Sequence, residues 1–244
     1  MKRYIRTIRS AINHLILKST GRVSHREVGV ICANAWYGNT YGGFYVCCHL
    51  LNESSIVYSF GIGEYISFDM DICKYHNCNV YGFDPTPKSI RWVKGSNPPA
   101  KFHFSDYGIG SKTGPVDFYL PINPKHVSGS VLIQSNVDLK EKVTVQMKSI
   151  SDIASELGHT HIDVLKMDIE GAEYDVIEDI LTSGISIDQI LIEFHDRFVE
   201  NGRAKTKKAV NSLKDHGFEI FAVSDSFEEV SFVNTRILHQ AQLA

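Results

Sequence analysis

The pattern of apolar and polar positions alternates regularly along the chain from Ser55 onward. Short runs of β-branched and aromatic residues are followed by longer segments with apolar residues at helical spacing. This alternation is typical of a parallel sheet covered by helices on both faces. The predicted strands are 56–60, 79–83, 101–104, 143–147, 163–167, 189–194, 218–223 and 230–238. The predicted helices are 66–75, 87–94, 149–158, 172–182 and 203–215.

Two stretches of the chain refine this pattern. Residues 111–142 interrupt the α/β rhythm as an irregular segment, and long loops inside compact α/β domains are commonly functional. A polar turn joins the last two predicted strands, which predicts an antiparallel hairpin at the end of a seven-stranded sheet and distinguishes this layout from an ordinary nucleotide-binding sheet. We therefore predict an α/β, Rossmann-like fold with a mostly parallel sheet and an antiparallel terminal hairpin. The domain covers 55–244, and an N-terminal helical and aromatic extension, 1–54, packs on it.

Composition limits the classes of function. The chain has 244 residues, 43% of them hydrophobic, which suffices for one domain with a buried core. Its formal charge of −3 provides no basic field for a polyanion, so we expect a small-molecule substrate and no nucleic acid. Residues 1–18 resemble a basic amphipathic helix more than a signal peptide, and no apolar run reaches the roughly 18 residues of a membrane span. We expect a cytoplasmic protein, and homo-oligomerisation stays open.

The cysteines indicate no metal site or disulfide framework by their spacing. Their number is odd, they lack paired metal-ligand spacing, and they lie in apolar or helical stretches that suit small buried side chains. We therefore expect all of them to be reduced and structural. They are Cys32, Cys47, Cys48, Cys73 and Cys78.

The first two predicted strands end in residues that suit a nucleoside ligand, because ligands of open α/β sheets bind beyond the carboxyl ends of the strands. Gly61 and Gly63 allow a tight turn and a close approach to a ligand. Ile66 stands where a dinucleotide motif has its third glycine, and Glu64 would repel a diphosphate but suits the ammonium group of S-adenosylmethionine (SAM). Asp84 follows at the separation at which an acid accepts hydrogen bonds from ribose hydroxyls, although an Asp-Pro turn is the simpler interpretation.

Three other segments are candidates for contacts with the cofactor or the substrate. Asp106 and Tyr107 end the third predicted strand, where they would contact adenine or merely cap a loop. Residues 36–45 are rich in aromatics and glycine, and form either a wall over the ligand, with Tyr41 contacting the substrate, or a core edge with turns. His126 in the irregular segment is a second candidate for the base or for a contact with the substrate, although a lone loop histidine is usually solvated.

The fourth and fifth parallel strands end in three carboxylates and an imidazole. Asp168 and Glu170 follow one strand, and Glu193 and His195 end the other. In one interpretation His195 takes the proton from a substrate hydroxyl, because its pKa lies near neutral pH, while Asp168 and Glu193 assist, Asp168 also faces the cofactor, and Glu170 contacts the substrate. In another, Asp168, Glu193 and His195 bind a divalent cation such as Mg²⁺. The structural alternative is an acidic helix start and a buried pair.

Together these residues resemble the FkbM family of methyltransferases. The resemblance covers about residues 55–235 and is carried by Ser59–Glu64 (SFGIGE), Phe83–Thr86 (FDPT) and, most specifically, Leu165–Glu173 (LKMDIEGAE). It implies a class I methyltransferase fold, SAM as the methyl donor, and O-methylation of a sugar or another hydroxylated metabolite. Tyr65 departs from the family, whose members often have an acid at that position.

The predicted function is therefore SAM-dependent O-methylation of a saccharide hydroxyl, with nucleotide-linked sugars of surface polysaccharide synthesis as candidate acceptors. N-methylation of a small amine or amide and a non-catalytic SAM-binding module are the alternatives. An NAD-dependent oxidoreductase is the third rival, and both Glu64 and Ile66 argue against it.

Overall fold

The computed structural model of this chain describes Leu17 and residues 23–121 and 137–241. Most of the predicted basic helix, 1–18, lies outside these residues. The strands of the described part are β1 (Ala35–Tyr37), β2 (Phe44–Val46), β3 (Ile56–Phe60), β4 (Asn79–Phe83), β5 (Phe102–Ser105), β6 (Gly108–Ile109), β7 (Gly114–Pro121), β8 (Val137–Lys148), β9 (His161–Met167), β10 (Ser186–Glu193), β11 (Phe218–Val223) and β12 (Glu229–Asn234). The helices are α1 (Ser67–His76), α2 (Pro87–Gly95), α3 (Ile150–Leu157), α4 (Glu173–Thr182), α5 (Gly202–Asp215) and α6 (Thr235–Ala241). Within the described ranges, none of the helices is long and apolar enough to cross a bilayer.

A seven-stranded sheet with the order β11-β12-β10-β9-β3-β4-β5 forms the centre of the structure. The five strands from β10 to β5 pair in parallel, whereas β12 is antiparallel to both of its neighbours. The predicted fold class is therefore confirmed, including the antiparallel hairpin at the end of the chain.

The central strands are buried on both faces, which explains their continuous apolar sequence. Successive residues point to opposite sides of the sheet. In β9, Val164 joins the core on one side and Leu165 the core on the other, and Leu191 and Ile190 do the same in β10. Helices α3, α4 and α5 cover one face, and α1 with the β1–β2 hairpin covers the other.

The segment that precedes β3 is part of the same core. Phe44 and Val46 are fully buried beside Val57 of β3. The backbone N–H of Cys47 donates to the Gln189 side chain in β10 at 2.8 Å. This hairpin therefore lies on the middle of the central sheet.

Arg26 connects the N-terminal segment to the loop after β10. Its guanidinium is buried, forms an ion pair with Asp196 and donates to the carbonyl of Phe227. It also lies 5.5 Å from the centre of the Phe194 ring. A buried pair of this kind is costly to break from one side, so Arg26 fixes the backbone next to the end of β10.

Two secondary-structure predictions are wrong. The segment 111–142 contains β7 and the first half of β8, an antiparallel pair that forms a separate three-stranded sheet with β6. Among the described side chains, a small apolar cluster around Phe118, Val145 and Met147 supports this sheet, and so sparse a pattern did not predict β7. Residues 235–238 begin helix α6 instead of continuing a strand, and the Asn234 side chain accepts from the Arg236 N–H at 3.1 Å at this helix start.

The prediction that all five cysteines are reduced is also wrong, because Cys32 and Cys47 form a disulfide. The β1–β2 hairpin returns the chain on itself and brings their Cα atoms to 6.3 Å, a proximity that the spacing along the chain does not reveal. Cys73 and Cys78 are free and buried, as expected, and burial raises the pKa of the Cys73 thiol to about 12.

Candidate active site

A cavity of about 600 Å³ opens at the carboxyl ends of the central parallel strands. Its volume lies in the ordinary range for small-molecule sites. The cavity brings together most of the residues that the sequence predicted for the cofactor and the chemistry. These are Tyr41, Gly61, Gly63, Asp84, Asp168, Glu170, Glu193 and His195.

Asp84 holds the glycine turn that forms one wall of this cavity. One of its carboxylate oxygens accepts from the backbone N–H groups of Ile62 and Gly63, at 3.0 and 2.8 Å. The other accepts from the N–H and hydroxyl of Thr86, at 2.8 and 2.7 Å. A carboxylate has about four acceptor positions, so the turn and Thr86 already use them. The hydrogen bond from ribose to Asp84 stays a prediction. The structure shows that Asp84 also positions the glycine turn.

The structure does not bring all predicted contacts to the cavity. The Glu64 carboxylate forms an ion pair with Lys88 at 3.1 Å, away from the residues that line the cavity. Asp106 and Tyr107 are also absent from the lining, where Gly108 and Ile109 stand instead. The Tyr107 ring packs on Phe83 in the core, because the chain turns inward one residue before the cavity. His126 lies outside the described residues.

His195 is the centre of a cluster of carboxylates at the far end of the cavity. Its side chain is almost completely buried. The Nε2 atom lies 3.4 Å from Glu193 Oε1, 3.5 Å from Glu170 Oε2 and 3.7 Å from Asp168 Oδ1. The ends of β9 and β10 thus bring the predicted acids and histidine together.

Glu173 is a member of this cluster that the sequence reasoning missed. Its Oε1 atom accepts from His195 Nδ1 at 2.6 Å and from the Gly171 N–H at 3.1 Å, and its side chain is fully buried. The turn before it places Glu170 at a φ of 53°, a conformation that costs a non-glycine residue about 1 kcal/mol or more. The signal in the sequence was the third acid of the DIEGAE block.

The electrostatic environment of the cluster raises the pKa values of both His195 and Glu193. Burial alone would lower the pKa of His195, but the hydrogen bonds and negative charges of Glu173, Glu193 and Asp168 raise it well above its usual value. Burial and the negative charge of Asp168 raise the pKa of Glu193 to about 7. The raised pKa of His195 favours the imidazolium form, and the pKa of Glu193 lies near neutral pH. The catalytic roles that the sequence assigned to His195 and Glu193 stay predictions.

Two buried ionic side chains that the sequence reasoning did not select also line the cavity. Asp69, in the first turn of α1, is 2% exposed, and Lys166, near the end of β9, is 3% exposed. An acid near a helix start reads as a partner of the helix dipole, and a lysine within a strand gives no signal of its own. They lie beside the glycine turn and not in the acid cluster.

The last strand, β12, is antiparallel and lies between β11 and β10. This strand order, together with the cavity at the strand ends, defines a class I methyltransferase fold. The chain belongs to the family described as "Methyltransferase FkbM domain", which matches residues 61–220. The resemblance inferred from the sequence motifs is therefore confirmed.

Individual relatives are distant. The chain is 25% identical over 199 residues to the human "Probable methyltransferase-like protein 24", and the match covers 79% of this chain and 45% of that protein. It is 26% identical over 115 residues to the Pseudomonas aeruginosa "AMB antimetabolite synthetase AmbE", a match that covers 44% of this chain and 5% of that protein. The chain thus spans less than half the length of these curated relatives. Among solved structures, the Methanococcus jannaschii fibrillarin pre-rRNA processing protein aligns with a TM-score of 0.43 at 13% identity, over 88% of this chain and 73% of that one.

Proposed function

We propose that this protein transfers the methyl group of SAM to a hydroxyl of a small saccharide acceptor. One observation carries the proposal: a single cavity joins the glycine turn, where the family implies the donor, to a buried cluster of acids that can accept a proton. Membership of the methyltransferase family supports the reaction class.

Glu193 is the general base in this proposal. Its pKa of about 7 lets it accept the proton of the acceptor hydroxyl at neutral pH. The hydroxyl oxygen forms a bond to the methyl carbon while the bond from that carbon to the donor's sulfur breaks. The imidazolium of His195 holds the carboxylates of Asp168 and Glu193 in place and offsets their repulsion.

The charge at the acceptor end favours an uncharged, hydroxyl-bearing group. Asp168, Glu170 and Glu193 can accept hydrogen bonds from neighbouring sugar hydroxyls, and they would repel a phosphate backbone. Phe198 and Tyr41 line the same cavity and provide aromatic surfaces for a sugar ring. Nucleotide-linked sugars are therefore the first acceptors to test, with the saccharide end in the cluster.

A second candidate mechanism uses a divalent cation held by the same residues. Ligand atoms of Asp168, Glu193 and His195 all lie within 4.8 Å of one another, and the bond from His195 Nδ1 to Glu173 is the outer contact that orients metal-bound histidines. One imidazole and two carboxylates suit Mn²⁺ or Zn²⁺ at least as well as Mg²⁺. A bound cation would lower the pKa of the acceptor hydroxyl.

The proposal predicts transfer of label from tritiated-methyl SAM to at least one member of a panel of nucleotide sugars. Each reaction is run with Mg²⁺, with Mn²⁺ and with a chelator, and amines and short RNA are parallel acceptors. Transfer that survives the chelator supports Glu193 acting without a metal, and loss that a cation restores supports the second mechanism. Label on amines or RNA alone would overturn the saccharide assignment.

The role of Glu193 predicts a specific pH dependence. The carboxylate accepts a proton only when it is ionised, so kcat/KM of the wild type should rise with pH through about 7. Glu193→Gln should remove this limb and lower the rate by about 10²-fold or more. Glu156→Gln, which changes an exposed acid paired with Lys148, should keep the wild-type profile. An unchanged profile in Glu193→Gln would exclude it as the base.

A further inference from the structure

Asp69 is a buried acid among the residues that line the cavity, and one of its carboxylate oxygens is unsatisfied. It lies in the first turn of α1, directly after the glycine turn, and is 2% exposed. Within the described part of the chain, its Oδ1 atom has no hydrogen-bond partner. An unsatisfied carboxylate oxygen is costly to bury, and a ligand that donates a hydrogen bond to it would offset this cost.

Lys166 adds a buried positive charge to the same wall. Its Nζ atom donates to the carbonyl of Gly61 at 3.1 Å and lies 5.6 Å from the centre of the Phe44 ring. Burial raises the pKa of Asp69, and the charge of Lys166 opposes this rise. The wall beside the glycine turn therefore carries one acid and one base, and both line the cavity.

We propose that Asp69 and Lys166 form the subsite for the α-amino acid end of the methyl donor. The Asp69 carboxylate accepts hydrogen bonds from the donor's α-ammonium, and the Lys166 ammonium pairs with its α-carboxylate. A zwitterion is the ligand group whose charges complement one buried acid and one buried base without leaving net charge. This assignment rests on the proposed function, because it takes SAM as the donor.

The loop between β1 and β2 is hydrogen-bonded to α1 beside the same subsite. The Gly38 N–H donates to the Asp71 carboxylate at 2.8 Å, and the Asn39 N–H donates to the Ser67 hydroxyl at 3.0 Å. These two bonds attach the loop to the first turn of α1, and Tyr41 and Gly42 of this loop line the cavity. The sequence assigned the donor's ammonium to Glu64, whereas this proposal assigns it to Asp69 in the first turn of α1.

The test separates the two ends of the ligand by calorimetry. Wild type, Asp69→Asn and Lys166→Met are titrated with S-adenosylhomocysteine and with 5′-methylthioadenosine, which has no amino acid group. Both variants should bind S-adenosylhomocysteine at least about tenfold more weakly, and 5′-methylthioadenosine with nearly wild-type affinity. Glu64→Gln, which alters the acid facing Lys88, should bind both ligands as the wild type does. Equal losses for both ligands in Asp69→Asn would overturn the assignment.

If the variants do not fold, titration of the unmodified protein with a series of ligands tests the same assignment. S-adenosylhomocysteine should bind at least about tenfold more tightly than its analogue without the α-ammonium. Equal affinity for the two ligands would reject the Asp69 subsite and leave the proposed function intact. Binding of none of the adenosyl ligands by the wild type would reject both.

Discussion

His195→Ala is expected to lower kcat for methyl transfer by about 10²–10⁴-fold at neutral pH and to leave the affinity for SAM nearly unchanged. The His195 imidazolium places a positive charge among four carboxylates, those of Glu173, Asp168, Glu170 and Glu193. Without it, the neighbouring negative charges raise the pKa of Glu193 further, so the base is protonated at neutral pH. The deficit should therefore shrink as the pH rises.

The measurement is kcat across a range of pH, together with calorimetric titration of S-adenosylhomocysteine. His216→Ala is the matched control, because this exposed histidine lies at the end of α5 and does not line the cavity. Wild-type turnover in His195→Ala would show that the cluster has no part in the reaction. A loss that stays constant with pH would show that His195 acts other than through the pKa of Glu193.

Gly61→Ala is expected to destabilise the fold by about 3–5 kcal/mol and to abolish SAM binding. Gly61 has a φ of 81°, and a Cβ atom built on it would lie 1.7 Å from the backbone oxygen of Asp168. Neither partner in this clash is a flexible side chain, so the turn must move away from β9. The turn also lines the cavity in which we propose that the donor binds, and stability and binding should be lost together.

Thermal melting and calorimetry check this result, and the melting temperature should fall by roughly 10 °C. Gly95→Ala is the control, because Gly95 ends α2, is exposed and has open space around its Cα. It should melt at or slightly above the wild-type temperature, since alanine is favoured over glycine in a helix. A Gly61→Ala protein with wild-type melting and affinity would contradict the assigned close approach.

The sequence predicted best the strands that are buried on both faces and the helices that are buried on one face. The strand β3 and the second half of β10 are largely apolar because both faces are covered, and α3 begins after the Ser149 cap and ends before Gly158. The strand predicted at 143–147 is the second half of β8, whereas β7 and the first half of β8 were missed because they belong to a small separate sheet. Pairing between strands, like the meeting of Cys32 and Cys47, depends on tertiary contacts that no local pattern contains.

The residues of the active site also divide into those that a local pattern predicts and those that depend on tertiary contacts. His195, Glu193 and Asp168 were found because each follows a strand, and parallel strands end at one edge. The sequence assigned the donor's ammonium to Glu64, which pairs with Lys88, and gave no signal for Asp69, which lines the cavity. The directions of side chains on a helix depend on where it docks, which only the folded structure fixes.

The Cys32–Cys47 bond closes the hairpin and the Tyr41–Gly42 loop into a covalent ring. A ring of about 15 residues restricts the unfolded chain by about 3 kcal/mol in the chain-entropy model. A thiol reductant would open this ring. Protein purified with a thiol reagent and protein purified without one would then differ in the loop that carries Tyr41 and Gly42, and activity assays should control the redox state before comparing acceptors.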